Sequence, residues 1–134
     1  MKISEKTKYI SNWIKEYVDQ MPVKAKSLVI GISGGIDSSV SSTLSAMTGL
    51  KTIVLTMPIK QNENQHDLSL KHQEWLIKNF KNVEAHTIKL DNLFDSFKTT
   101  LSNFNNDHGL ANSRARLRMT TLYQVAAANK GIVV

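Results

Sequence analysis

The fold class this sequence predicts is α/β: a doubly wound parallel sheet with helices on both faces, three layers in all. Three observations predict it. Apolar, β-branched runs alternate with stretches of helical period along the chain, the pattern of successive βαβ units. The run Leu28-Val29-Ile30-Gly31-Ile32 passes directly into Ser33-Gly34-Gly35-Ile36-Asp37-Ser38-Ser39, and Val40, Leu44 and Met47 follow at the spacing of one helix face. That is strand, glycine turn and helix. A second β-branched run, residues 51–57, is closed by Pro58, and two strands joined through a helix form a right-handed parallel unit.

The elements follow in order. Residues 5–20 read as a helix, with Ile10, Trp13, Ile14, Tyr17 and Val18 on one stripe and Lys and Glu opposite; Pro22 ends it. The stripe suits core or dimer contact. A strand at about 28–32, the glycine loop and a helix to Thr48 come next, with Gly49 placed as a C′ glycine. After the second strand, residues 59–66 are polar and lie past its carboxyl end, the rim where open α/β sheets bind ligands. Asn62, Gln65 and Asp67 are candidate contacts there, or equally helix caps.

A helix over about 66–79 carries Leu68, His72, Trp75 and Leu76 on one face, with His72 read as a packing residue. Residues 83–90 are the third strand. The helix after Asp91 shows Leu93, Phe94, Phe97, Leu101 and Phe104 as a core stripe. Residues 105–110 read as a loop, 112–130 as a helix stopped by Gly131, and Ile132-Val133-Val134 as the start of a fourth strand. A strand order of 3-2-1-4 places the switch point between strands 1 and 4, above the Ser33 loop. The chain stops on what reads as a buried parallel strand, so the expectation is one domain over residues 1–134, truncated after the fourth strand. The unfinished flank calls for a dimer or an exposed apolar edge.

Composition narrows the chemistry. The 134 residues are 41% hydrophobic, with net charge +6 and a pI near 9.6. The lysines are scattered and only Arg114, Arg116 and Arg118 cluster. The charge therefore suits small anionic ligands better than nucleic acid. There is no cysteine, which excludes disulfides, thiolate metal sites and cysteine nucleophiles. No apolar run has transmembrane length, and the first residues lack a signal-peptide core; the expected location is cytoplasmic, with no membrane partner. No HxH or HExxH arrangement marks a transition-metal site.

The loop at Ser33 carries the strongest signal. A helix that opens after a Gly-Gly turn presents free N–H groups and the positive end of its dipole. Gly34 and Gly35 allow a sharp turn and close approach of ligand. Ser33, Ser38 and Ser39 add hydroxyls, so the site suits phosphate or pyrophosphate. Asp37 inside an anion cradle calls for a bridging cation, and Mg2+ is usually held by one or two carboxylates plus phosphate oxygens. The loop is neither a Walker P-loop nor a GxGxxG turn. A merely capped turn would not need serines on both sides of an embedded aspartate.

The second motif is Asn112-Ser113-Arg114-Ala115-Arg116-Leu117-Arg118-Met119, followed by Leu122-Tyr123. Arginines two apart lie on different faces of a helix, so the three cannot share one task; 114 and 118 are neighbours and 116 points elsewhere. Arginine suits bidentate clamping of carboxylate or phosphate, while a solvated helix face is the plainer account of any one of them.

Together the two motifs resemble those of ammonia-dependent NAD synthetases, within the pyrophosphate-loop ATPases. The resemblance covers nearly the whole chain. It implies a Rossmann-like sheet of the adenine nucleotide alpha hydrolase kind. It further implies that Gly31, Ile32, Ser33, Gly34, Gly35, Ile36, Asp37 and Ser38 bind ATP, that Asp37 ligates Mg2+, and that Arg116 contacts deamido-NAD. The implied reaction forms an acyl-adenylate from deamido-NAD and ATP, which ammonia then converts to NAD and AMP. No side-chain nucleophile is required, and the family is homodimeric. The short stretch before the first strand leaves no room for a glutaminase domain, in keeping with free ammonia as nitrogen source. Two departures stand out: Ala111 where the family usually has Gly, and Thr56 where many members have an arginine. Rival readings are another adenylylating ligase such as the ATPase domain of GMP synthetase, a tRNA-modifying lysidine synthetase, and a non-catalytic ATP-binding or dimerisation module.

Overall fold

The apolar runs that predict strands do form strands, and all of them join one parallel sheet. In the computed structural model, which describes residues 1–60 and 63–134, these are β1 (Ser27–Gly31), β2 (Thr52–Thr56), β3 (Val83–Thr87) and β4 (Gly131–Val133). Their order is β3-β2-β1-β4 and every pairing is parallel, as expected. Val29 stands opposite Ile53 on one side and Val133 on the other. β1 and β2 are buried along almost their whole length because helices cover both faces. At the β3 edge, Glu84 and His86 reach solvent and bond each other at 3.1 Å.

Successive strand residues point to opposite faces, and two core clusters result. Val29, Ile53, Leu55 and Met57 pack with Phe94 of α4 (Asp91–Thr100) and Ala126 of α5 (Asp107–Ala128). Ile30, Ile32 and Val54 pack with Ala46 of α2 (Ile36–Met47) and Leu76 of α3 (Glu63–Asn79). The remaining helix, α1 (Ile3–Asp19), lies against α2, where the Ser11 hydroxyl donates to the Leu44 carbonyl at 3.0 Å.

Several helices turn a different face inward from the one hydropathy marks. In α1 only Ser11 and Val18 are buried; Ile10, Trp13 and Tyr17 are exposed. In α2 the buried residues are Ser42, Ser45 and Ala46, whereas Val40 and Met47 are exposed. The buried hydroxyls return to the helix's own carbonyls, Ser42 to Ser39 and Ser45 to Ser41, at 3.1 and 2.9 Å. A serine bonded in this way behaves as a small residue and permits close packing. In α3 the interior takes Ser69, Gln73 and Leu76 and leaves Leu68 and Trp75 exposed. Of the α4 stripe, only Phe94 is fully buried.

The expected loop at 105–110 is a second correction. α5 begins at Asp107, because Asn106 caps it: the Asn106 side chain accepts from the Gly109 N–H at 2.9 Å. Gly49 has φ +79° and ends α2 as a C′ glycine should. The expected apolar edge is present too. Beside β4, a cavity of about 620 Å3 is walled by Trp13, Tyr17, Tyr123, Ile132 and Val133.

Candidate functional site

The loop between β1 and α2 sits at the carboxyl ends of the two central strands, beside the point where the chain's strand order reverses. Its shape is set by Gly34, with φ +92°. A Cβ there would lie 2.5 Å from the Gln65 carbonyl oxygen. The loop thus turns flush against the start of α3, in a conformation that L side chains rarely adopt. Gly35 is the N-cap of α2 and brings no side chain to cap it, so the first-turn N–H groups face outward uncapped.

The serines bond within the loop. The Ser33 N–H donates to Ser38 Oγ at 3.0 Å, the two hydroxyl oxygens are 3.0 Å apart, and the Gly35 N–H donates to Ser33 Oγ at 3.3 Å. The Ser38 and Ser39 hydroxyls both donate to the Gly35 carbonyl, at 3.3 and 2.9 Å. Asp37 is exposed on the first turn of α2, and among the described residues no cation pairs with it. No cluster of three or more His, Cys, Asp or Glu forms among the described residues. A lone exposed carboxylate beside uncapped N–H groups fits Mg2+, which keeps several waters and takes its other ligands from phosphates. It does not fit a metal that needs a protein cage.

Next to the loop is a cavity of about 360 Å3. Its apolar walls are Ile32, Met57, Ile59 and Leu122; Ser33, Gln65 and Arg118 supply its polar groups. Gly31 forms part of the wall, and a Cβ on it would sit 3.1 Å from Met57 Cε. The apolar sides suit a flat heterocycle or sugar, and the polar end adjoins the helix N-terminus.

The three arginines separate as their spacing predicts. Arg118 is half-buried and lines the cavity, its Nε donating to the Met57 carbonyl at 3.0 Å. Burial lowers its pKa from the usual guanidinium range, and nearby Arg114 lowers it further. Arg114 lies over the Phe94 ring, 5.4 Å from the centroid. Arg116 is exposed and outside the cavity wall. Gln65 does reach the cavity, Asp67 is exposed on α3, and Asn62 lies outside the described residues. Thr56 is buried, its hydroxyl oxygen 2.9 Å from that of Thr87. His72 is a packing residue as expected: its Nε2 is 2.9 Å from buried Ser42 Oγ and its ring stacks on Trp75. Met57 and Leu122 were legible only as apolar positions of a strand and a helix, and Ile59 reads as part of the polar rim stretch, although it is buried.

Fold and site define a class: a doubly wound α/β protein with a glycine turn into an uncapped helix N-terminus at its switch point and a cavity of about 360 Å3 beside it. A family model described as NAD synthase matches residues 6–134, and the chain belongs to that family. An NH(3)-dependent NAD(+) synthetase of Mesoplasma florum is 38% identical, with 100% of this chain and 54% of the relative covered. Among solved structures, an NMN synthetase from Francisella tularensis superposes with a TM-score of 0.86 at 33% identity, covering 99% of this chain and 53% of that one. An NH3-dependent NAD synthetase from Campylobacter jejuni, in complex with the nitrate ion, gives 0.84 at 29%, covering 99% and 56%. The chain spans about half the length of these relatives. No helix among the described residues is long and apolar enough to cross a membrane.

Proposed function

We propose that this chain forms the ATP-binding domain of an NAD synthetase, a cytoplasmic, homodimeric carbon-nitrogen ligase that amidates deamido-NAD with ammonia. The observation that carries the reading is the Gly34 turn: an uncapped helix N-terminus with a single carboxylate, opening onto a cavity of nucleoside size. The base and ribose of ATP enter between Ile32, Met57, Ile59 and Leu122. The phosphates lie toward Ser33–Ser38, where the N–H groups and dipole of α2 oppose their charge. Asp37 would hold Mg2+, which would supply positive charge at the pyrophosphate leaving group.

A carboxylate oxygen of deamido-NAD attacks the α-phosphorus; the bond to pyrophosphate breaks and an acyl-adenylate forms. Ammonia then attacks the acyl carbon, AMP departs and the surplus proton passes to solvent. The chain's own groups bind and orient and offset developing charge, which is the dominant form of catalysis where no protein nucleophile takes part. Arg116, exposed on α5, would contact the dinucleotide substrate from outside the cavity.

Calorimetric titration of the chain with ATP tests the reading. Binding is expected to need Mg2+ and to weaken at least about tenfold in Asp37→Asn, as loss of a charged ligand contact implies. Equal binding with and without Mg2+, in both proteins, would refute it. A second reading, amidation of the corresponding mononucleotide, is favoured by the likeness to the protein named NMN synthetase. Protection of Arg116 on α5 by deamido-NAD but not by nicotinate mononucleotide separates the two.

A further inference from the structure

Arg118 has a chemical problem that its surroundings do not solve. Arg118 is half-buried, and among the described residues its guanidinium has one hydrogen-bond partner, the Met57 carbonyl, reached through Nε. Among the described residues no carboxylate lies within 4 Å of it. Its neighbour one turn back is another cation, Arg114, which is turned onto the Phe94 ring. A partly desolvated cation without a counter-ion gains from a ligand that supplies the charge. The cavity it lines is shared with Ser33 at the base of the anion loop and with apolar Ile32, Met57 and Leu122. Arg118 therefore shares one cavity with the apolar walls and with the base of the loop that leads into α2.

We propose that Arg118 is the residue that contacts the nucleotide's phosphate nearest the ribose, its Nε tied to Met57 so that the remaining N–H groups are held toward that phosphate. This rests on the ATP-binding reading and deepens it. The α-phosphorus is the atom attacked in the first step, so a fixed guanidinium there offsets charge where it grows. The carbonyl bond explains why arginine stands at this position: one edge of the fork anchors the side chain, and the other is left to bind. Lysine would bring the charge without the anchor.

The test compares ATP with adenosine, titrated against the wild-type chain, Arg118→Gln and Arg118→Lys, with melting curves for each. ATP affinity is expected to fall about ten- to a hundredfold in Arg118→Gln and by less in Arg118→Lys, while adenosine affinity stays within about twofold. Unchanged ATP affinity in Arg118→Gln overturns the proposal. Equal losses for ATP and adenosine also overturn it, because they mean that Arg118 only holds the Met57 segment in place. Should Arg118→Gln not fold, Arg118→Lys decides on the same ratio. A wild-type chain that binds neither ligand refutes the ATP-binding reading itself and this inference with it.

Discussion

Gly34→Ala is the substitution that probes the site most directly. Two penalties act at once. The residue has φ +92°, which costs an L side chain about 1–2 kcal/mol. In addition, the new Cβ would stand 2.5 Å from the Gln65 carbonyl oxygen and 3.1 Å from its Cγ. The carbonyl is backbone at the start of α3, so relief requires moving the helix or the loop, for about 1–3 kcal/mol more. The sum, roughly 2–5 kcal/mol, is a sizeable part of a typical domain's stability. Gly35→Ala is the control. Gly35 has φ −86°, and a Cβ there meets nothing closer than Ser33 Oγ at 3.4 Å. Thermal melts followed by circular dichroism should show Gly34→Ala lower by about 8–15 °C and Gly35→Ala by no more than about 3 °C. ATP titration should show the same ranking. Equal melting temperatures for the two variants would refute the close approach of loop and α3.

Three further outcomes are expected. Phe94 is 1% exposed at the centre of one core cluster, so Phe94→Ala should cost about 3–5 kcal/mol in urea titration. Gln73 donates from Nε2 to the Val54 and His86 carbonyls at 3.3 and 3.1 Å; Gln73→Leu should cost about 1–3 kcal/mol through those unpaired acceptors, read from the same midpoints. His72 has its pKa lowered from 6.5, chiefly by burial, with a hydrogen bond to the Ser39 backbone working the other way. The unfolded chain therefore takes up this proton first. The stability held by neutral His72 is complete above pH 6.5 and is lost as pH falls below it. Urea midpoints measured from pH 7.5 to 5 should decline more steeply in wild type than in His72→Gln.

The sheet was legible because its signal is redundant. Val29, Ile30, Ile53 and Val54 lie in unbroken apolar runs, and only a parallel sheet covered on both faces uses such runs. Helix faces were less legible. α2 is oriented by Ser42 and Ser45, which count as polar in any hydropathy pattern yet are fully buried once their hydroxyls return to the helix carbonyls. The α1 stripe buries Val18 but turns Trp13, Ile14 and Tyr17 to the cavity beside β4, and the α3 stripe buries Leu76 but leaves Leu68 and Trp75 exposed. The start of α5 was hidden in a polar tract, although Asn106 followed by Asp107 is itself a cap and an acidic first turn. The turn from strand to helix over residues 33–39 was legible because its pattern lies within seven consecutive residues. The cavity beside it was not, because Met57, Gln65, Arg118 and Leu122 come from three separate stretches of the chain.

That locality has an energetic consequence for ligand binding. Ser33, Gly35 and Ser38 share hydroxyl and N–H hydrogen bonds with one another. A phosphate bound as proposed would exchange those neutral bonds for charge-assisted ones, which are roughly twice as strong. The net gain per bond is therefore modest, but the loop is already held in shape when the ligand arrives, and little ordering entropy remains to be lost. Ser33→Ala and Ser38→Ala test this balance. Each removes a bond from the free loop as well as from the complex. Single variants should weaken ATP binding by only about three- to tenfold, with the double variant close to either single one. Fully additive losses would mean that the two hydroxyls act independently on the ligand, and that the serine pair contributes nothing to holding the empty loop.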